Sequence, residues 1–192
     1  MNQAMRSDDK SNETKDAESS FLSNVKTLRA RAREHIENGA VTPSYAGETS
    51  TIVRLLNEAL ATEIVCVLRY RRHYFCAEGA LAESVKEEFM EHAQEEQEHA
   101  DQIAERIVQL GGKPNFNPVG LDTRSHSEYV EGSSLKEMVK EDLIAERVAI
   151  QSYTEMILFI GDKDPTTKRM LESILAKEEE HAEDMASIYK HA

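Results

Sequence analysis

The chain has 192 residues, of which 31% are charged, with only 8 glycines, 4 prolines and a formal net charge of −13 at pH 7. That length suits one domain with a substantial core, and long runs of Ala, Glu, Leu, Lys and Arg predict an all-α protein. The negative balance opposes general nucleic-acid binding and favours cations, while no apolar run reaches the ~18–20 residues of a membrane span.

Residues 1–19 carry almost nothing to bury and read as a disordered tail. Arg6, Lys10 and Lys15 stand there against Asp8, Asp9, Glu13, Asp16 and Glu18, the wrong sign for an arm that grips DNA. The polar start has no signal-peptide core, so a cytoplasmic location is expected. Residues 20–49 are predicted to hold a short N-terminal amphipathic helix and a loop. Phe21, Val25, Leu28, Ala32 and Ile36 fall at helical spacing, Lys26 to Arg33 supply a basic face, and Asn38-Gly39 marks a stop.

Residues 50–192 are predicted to form a bundle of four long helices. The first runs from about Ser50 to Cys76 and the second from about Leu81 to Leu110, stopping at Gly111-Gly112. The third starts at Ser133 or Ser134, with Glu137 placed for a capping box, and ends near Gly161. Asp164-Pro165 opens the fourth. Short, long and short connections imply an antiparallel four-helix bundle with one long crossover between the second and third helices. Cys66 and Cys76 lie on one helix roughly 15 Å apart, too far to bridge, and read as reduced thiols.

A Glu-x-x-His occurs twice, at Glu96–His99 and Glu178–His181, each preceded at nearly the same distance by a lone glutamate, Glu63 or Glu146. All lie on apolar seams: Leu56, Leu60 and Tyr70 beside Glu63; Phe89, Ile103 and Ile107 beside Glu96; Val139, Leu143, Ile150 and Tyr153 beside Glu146; Leu171, Ile174 and Met185 beside Glu178. An ionised carboxylate there costs several kcal/mol unless paired, and four together repel one another. Arg54, Arg69, Arg71 and Arg147 read as off the seams, so two divalent cations are the expected counter-charge. Carboxylates with one imidazole per ion suit iron or manganese better than structural zinc.

One Glu-x-x-His on a Glu-rich helix is ordinarily a solvated face; two copies on apolar seams are not. The remaining glutamates, among them Glu91, Glu95, Glu98 and Glu179, are expected at the surface, with an inner shell wall as the alternative for Glu91 and Glu95. His92 is expected to be exposed. Tyr70 and Tyr153, each seven residues after its glutamate, read as core residues with hydroxyls beside the site, and Cys66 as a small buried residue.

These motifs resemble the ferritin-like superfamily over roughly residues 50–190, and within it the bacterioferritins. The resemblance implies that Glu63, Glu96, His99, Glu146, Glu178 and His181 ligate two Fe ions per subunit, with Mn as the alternative. It also puts Glu96 and Glu178 in bridging positions and Tyr70 beside the centre. Gln97 stands where bacterioferritins carry the haem-binding methionine, so haem is not expected. Only eleven residues follow His181, too few for a fifth helix; the mini-ferritin (Dps) families are short in the same way, which favours a homo-oligomeric cage of 12 over 24 subunits. The implied activity is that of a ferroxidase that oxidises Fe2+ with O2 or H2O2 and stores Fe3+ in the shell. The alternatives are a non-storing di-iron or di-manganese peroxidase or catalase, and a Dps-like DNA-protecting protein.

Overall fold

The computed structural model describes residues 24–79 and 81–191; the tail expected over residues 1–19 lies outside them. The chain divides into two compact units between Ser44 and Tyr45. In the first, α1 (Val25–Arg31) is capped by the Asn24 side chain, which accepts the Lys26 N–H. This helix is shorter than expected. His35 adopts a left-handed conformation (φ 51°), and the chain resumes only as a single 3-10 turn over Ile36–Asn38. Val25, Leu28 and Ile36 are all exposed, and a helix this short without a packed face has little to extend it.

The second unit contains α2 (Thr49–Cys76), α3 (Ala82–Gln109), α4 (Leu121–Arg124), α5 (Leu135–Ile160) and α6 (Pro165–His191), with no strand among the described residues. It is an antiparallel four-helix bundle of α2, α3, α5 and α6, in which α2 packs along α3 and α5 along α6. The short α4 sits within the long crossover.

Local chemistry sets the helix ends. Glu48 caps α2 by accepting from the Ser50 and Thr51 N–H groups. Past α3, the Gly112 N–H returns to the Ile107 carbonyl at 2.9 Å. A Cβ on Gly112 would stand 2.6 Å from Val53 Cγ1, so the absence of a side chain lets this turn lie against α2. The expected capping box at α5 is shared by two serines: Ser134 accepts from Glu137 N–H, while the Glu137 carboxylate accepts from the Ser133 N–H and hydroxyl. Asp164 caps α6 by accepting from Thr167 N–H at 3.0 Å. The same carboxylate takes two hydrogen bonds from Arg106 Nη2 at 2.9 and 3.0 Å, and one from Tyr45 at 2.7 Å, which ties the end of α3 to the start of α6.

The crossover is laced to α2. Asn115 N–H donates to Asn57 Oδ1 (2.7 Å), His126 N–H to Thr62 Oγ1 (2.9 Å), and Arg69 Nη1 to the Glu128 carbonyl (2.9 Å). Arg69 corrects the expectation that the arginines lie off the seams: it is 1% exposed and donates to Asp142 Oδ1 at 2.8 Å. Its partner is Asp142 on α5, not a glutamate of the repeated motif. His73 contacts the other Asp142 oxygen at 2.7 Å. The inward face of α5 is likewise rotated from the expected seam. Met138, Asp142, Ala145, Ala149 and Met156 are buried, whereas Leu143, Ile150 and Ile157 are only partly so.

Two apolar layers bracket the middle of the bundle. Tyr70, Val85, Phe89, Val139 and Met185 cluster on one side; Leu56, Leu60, Ile103, Ile107, Leu171 and Ile174 are fully buried at the opposite register of the same helices. The repeated motif lies between them, closed off from water at both ends.

Candidate metal centre

All six residues of the repeated motif come together, one or two from each long helix: Glu63 from α2, Glu96 and His99 from α3, Glu146 from α5, Glu178 and His181 from α6. Each is at most 5% exposed. Glu and His three apart on a helix share a face, so both Glu-x-x-His pairs point inward.

The ligand atoms fall into two overlapping groups, Glu63–Glu96–His99–Glu178 and Glu96–Glu146–Glu178–His181, with the atoms of each group within 4.8 Å of one another. Glu96 and Glu178 belong to both. His99 Nδ1 lies 2.9 Å from Glu178 Oε1, 3.3 Å from Glu96 Oε2 and 3.4 Å from Glu63 Oε2. His181 Nδ1 lies 3.5 Å from Glu96 Oε1, 3.7 Å from Glu178 Oε2 and 4.0 Å from Glu146 Oε2. Each group therefore has one imidazole, one terminal glutamate and the two shared glutamates.

The terminal glutamates are cross-braced. Tyr70, on the helix of Glu63, donates its hydroxyl proton to Glu146, and Tyr153, on the helix of Glu146, donates to Glu63. On the outer side of His181, Nε2 contacts Glu95 Oε2 at 2.7 Å, and Glu95 also pairs with Lys177 at 3.2 Å. Glu95 was expected at the surface; it is half-buried and holds the imidazole so that Nδ1 faces the centre, as outer carboxylates do for metal-bound histidines.

His92 also departs from expectation. It is 2% exposed, stacked on His181 with ring centroids 3.9 Å apart, and its Nδ1 is 3.2 Å from the Tyr70 hydroxyl. Its place one heptad before His99 was the available sequence signal. Cys66 is buried, as expected, and burial pushes its thiol pKa up, keeping it neutral.

Electrostatics show what the cluster lacks. Burial, reinforced by Glu96, pushes Glu63 up to about 8; burial, Glu96 and Glu178 push Glu146 well above the carboxylate range. Burial and the neighbouring Glu178 would raise Glu96 as well, but its contacts with Glu63, His181 and His99 hold it down, so Glu63 keeps the proton that the pair shares. Burial alone would depress both imidazoles; instead the surrounding carboxylates hold His99 far above its usual range and push His181 up to about 11. The cluster thus retains protons where it could take cations. Glu63 Oε2, Glu96 Oε1, Glu146 Oε2, both Glu178 oxygens and His181 Nδ1 are buried without a hydrogen-bond partner. Orphaned inward atoms in such number are otherwise rare in a folded interior. The donor set, carboxylate oxygens with one imidazole for each of two ions, fits two divalent metals.

A pocket of about 160 Å3 beside His99 is bordered by Glu95, Glu98, Gln102 and Lys177. A larger groove, about 470 Å3, runs past Leu55, His126, Met156 and Phe159 and contains none of the six residues.

A four-helix bundle that turns this ligand set inward is the frame of carboxylate-bridged di-metal proteins. A model of the ferritin-like domain matches residues 53–191, and the chain belongs to the ferritin-like family. A nutrient stress-induced DNA-binding protein from Synechococcus is 32% identical over 143 residues, covering 72% of this chain and 80% of that protein. A bacterioferritin from Mycobacterium leprae is 30% identical over 131 residues, covering 68% and 78%. Among solved structures, a dodecameric thioferritin, the bacterioferritin-related protein of Bacteroides fragilis, is similar with a TM-score of 0.71 and 33% identity over 74% of this chain and 86% of that one. Among the described residues no helix is long and apolar enough to cross a membrane.

Proposed function

We propose that this chain is a ferroxidase subunit that oxidises Fe2+ at a centre within each chain and stores the product in an oligomeric shell. The observation that carries this reading is the pair of ligand groups sharing Glu96 and Glu178. Two Fe2+ substrates held there would have two bridging carboxylates, and carboxylates tolerate a change in metal charge without rearrangement of the helices. Together the two ions give up two electrons. H2O2 with two protons then yields two waters, or O2 with two protons yields H2O2. Iron supplies the redox chemistry; the chain binds and orients it. Tyr70 and Tyr153 fix the terminal glutamates, Glu95 fixes His181, and the flanking apolar layers exclude water. The net charge of −13 favours inward passage of cations.

The dodecameric state of the Bacteroides relative supports a small cage, a 12-mer in preference to a 24-mer. Size exclusion with light scattering, followed by aerobic addition of many Fe2+ per chain, tests both parts. A shell that continues to oxidise and retain iron is expected. A monomer or dimer that stops at about two ions per chain would replace storage with a non-storing di-metal enzyme. Glu63→Ala or Glu146→Ala should abolish rapid oxidation while leaving a folded helical chain; an unchanged rate refutes the site assignment.

A second reading has support of its own. One relative is named a DNA-binding protein, and α1 exposes Lys26, Arg29 and Arg31. The overall charge opposes it, so a gel shift at low salt should show no retention; tight retention would establish the DNA-protecting alternative.

A further inference from the structure

We propose that Glu88, His92 and Asp184 form a further divalent-cation site on the flank of the six-residue centre. Glu88 and His92 are one turn apart on α3, and Asp184 faces them from α6. Their ligand atoms lie within 4.8 Å of one another.

His92 makes this more than a pair of neighbouring acids. The side chain is 2% exposed, yet Nε2 has no hydrogen-bond partner among the described residues: it stands 3.9 Å from Glu88 Oε2 and 3.7 Å from Asp184 Oδ2. The rest of the ring is committed. Tyr70 spends its proton on Glu146, so it presents a lone pair to His92 Nδ1, 3.2 Å away. Nδ1 therefore carries the ring N–H, and the free lone pair is on Nε2. The stacked His181 ring, 3.9 Å away, fixes the plane in which that lone pair points.

A nitrogen lone pair directed at two carboxylates is an arrangement that a cation completes. The N···O separations are too long for hydrogen bonds, and the half-exposed carboxylates need move in by only a few tenths of an ångström to place an ion ~2.0–2.2 Å from each atom. The Glu88 and Asp184 side chains remain 41% and 48% exposed, so ions reach the site from solvent and water fills the remaining positions. One imidazole with two carboxylates selects Fe2+, Mn2+ or Zn2+ over Mg2+ or Ca2+. The site also communicates with the centre: His92, Tyr70 and Glu146 form one hydrogen-bonded chain, so a cation on Nε2 steadies the tyrosine that braces a terminal glutamate. The site stands whether or not the neighbouring centre oxidises iron.

Zn2+, which is redox-inert, is the probe. Equilibrium dialysis of the full chain and anomalous scattering from Zn2+-soaked crystals should place an ion between His92 Nε2, Glu88 and Asp184, in addition to those at the centre. The paired change Glu88→Gln with Asp184→Asn, at half-exposed positions that the fold tolerates, should remove that peak and lower the bound count by one per chain. A chain carrying Glu63→Ala and Glu146→Ala should lose metal at the centre and keep this peak, which separates the two assignments. No anomalous peak at His92, or an unchanged count in the Glu88/Asp184 variant, overturns the proposal.

Discussion

Raising the pH of the metal-free chain should weaken the bundle, and metal should reverse that trend. Glu63 is pushed up to about 8 from an ordinary 4.5, and His181 to about 11 from 6.5. In both cases the folded chain keeps a proton that the unfolded chain has released. The associated stability is fully present below the unfolded pKa and is lost as pH rises through the folded one. Glu63 loses stability between 4.5 and about 8 and His181 between 6.5 and about 11, so the two act together from 6.5 to about 8. Across roughly 1.5 units at ~1.36 kcal/mol per unit, each group accounts for about 2 kcal/mol of lost stability. Coupling between them makes the total smaller than the sum. Glu146 and His99 are raised and act in the same direction. His92, depressed to about 4 by burial and the neighbouring His181, has the opposite sign but acts only below 6.5. At ~2–4 °C per kcal/mol for a chain of this size, the Tm should fall by about 5–10 °C between pH 6.5 and 8. Metal ions compete for the same lone pairs, so the stabilisation they give grows with pH. Circular dichroism melts at fixed chain concentration, with EDTA or with Zn2+, read both trends. A metal-free Tm that stays level or climbs across the window refutes the reasoning.

Other perturbations test the supports of the site. Arg69→Met leaves Asp142 buried without its guanidinium and should cost about 3–5 kcal/mol in urea unfolding; adding Asp142→Leu should restore much of that, and a silent single variant would show the pair to be dispensable. Glu95→Ala releases His181 Nε2 and should weaken metal binding ~10–100-fold by calorimetric titration. Gly112→Ala drives a methyl into Val53 and should destabilise the chain by about 1–3 kcal/mol in the same urea assay.

The four long helices and the six inward side chains were legible from sequence because both are written in local periodicity. A charge recurring on an apolar 3.6-residue seam is visible without knowing what the seam packs against. The caps at Ser134 and Asp164 were legible for the same reason. The N-terminal helix was over-extended because its apolar spacing continues past His35, while the backbone turns left-handed there.

Polar burial away from the motif was not legible. Arg69, His73 and Asp142 each look like ordinary surface residues within their own helices; only the apposition of α2, α5 and the crossover makes them one buried cluster. Glu95 and His92 were read as exposed because their helix carries many charges, and it is α6, bringing His181 and Asp184 against them, that gives each a task. By itself the sequence determined the all-helical bundle and the six inward glutamate and histidine side chains, since amphipathic period and residue type are properties of single helices. The tertiary structure alone decided which glutamates are shared, what holds the His181 imidazole, and that Glu88, His92 and Asp184 face one another. Those depend on the facing helix, whose position and rotation no periodicity within one segment encodes.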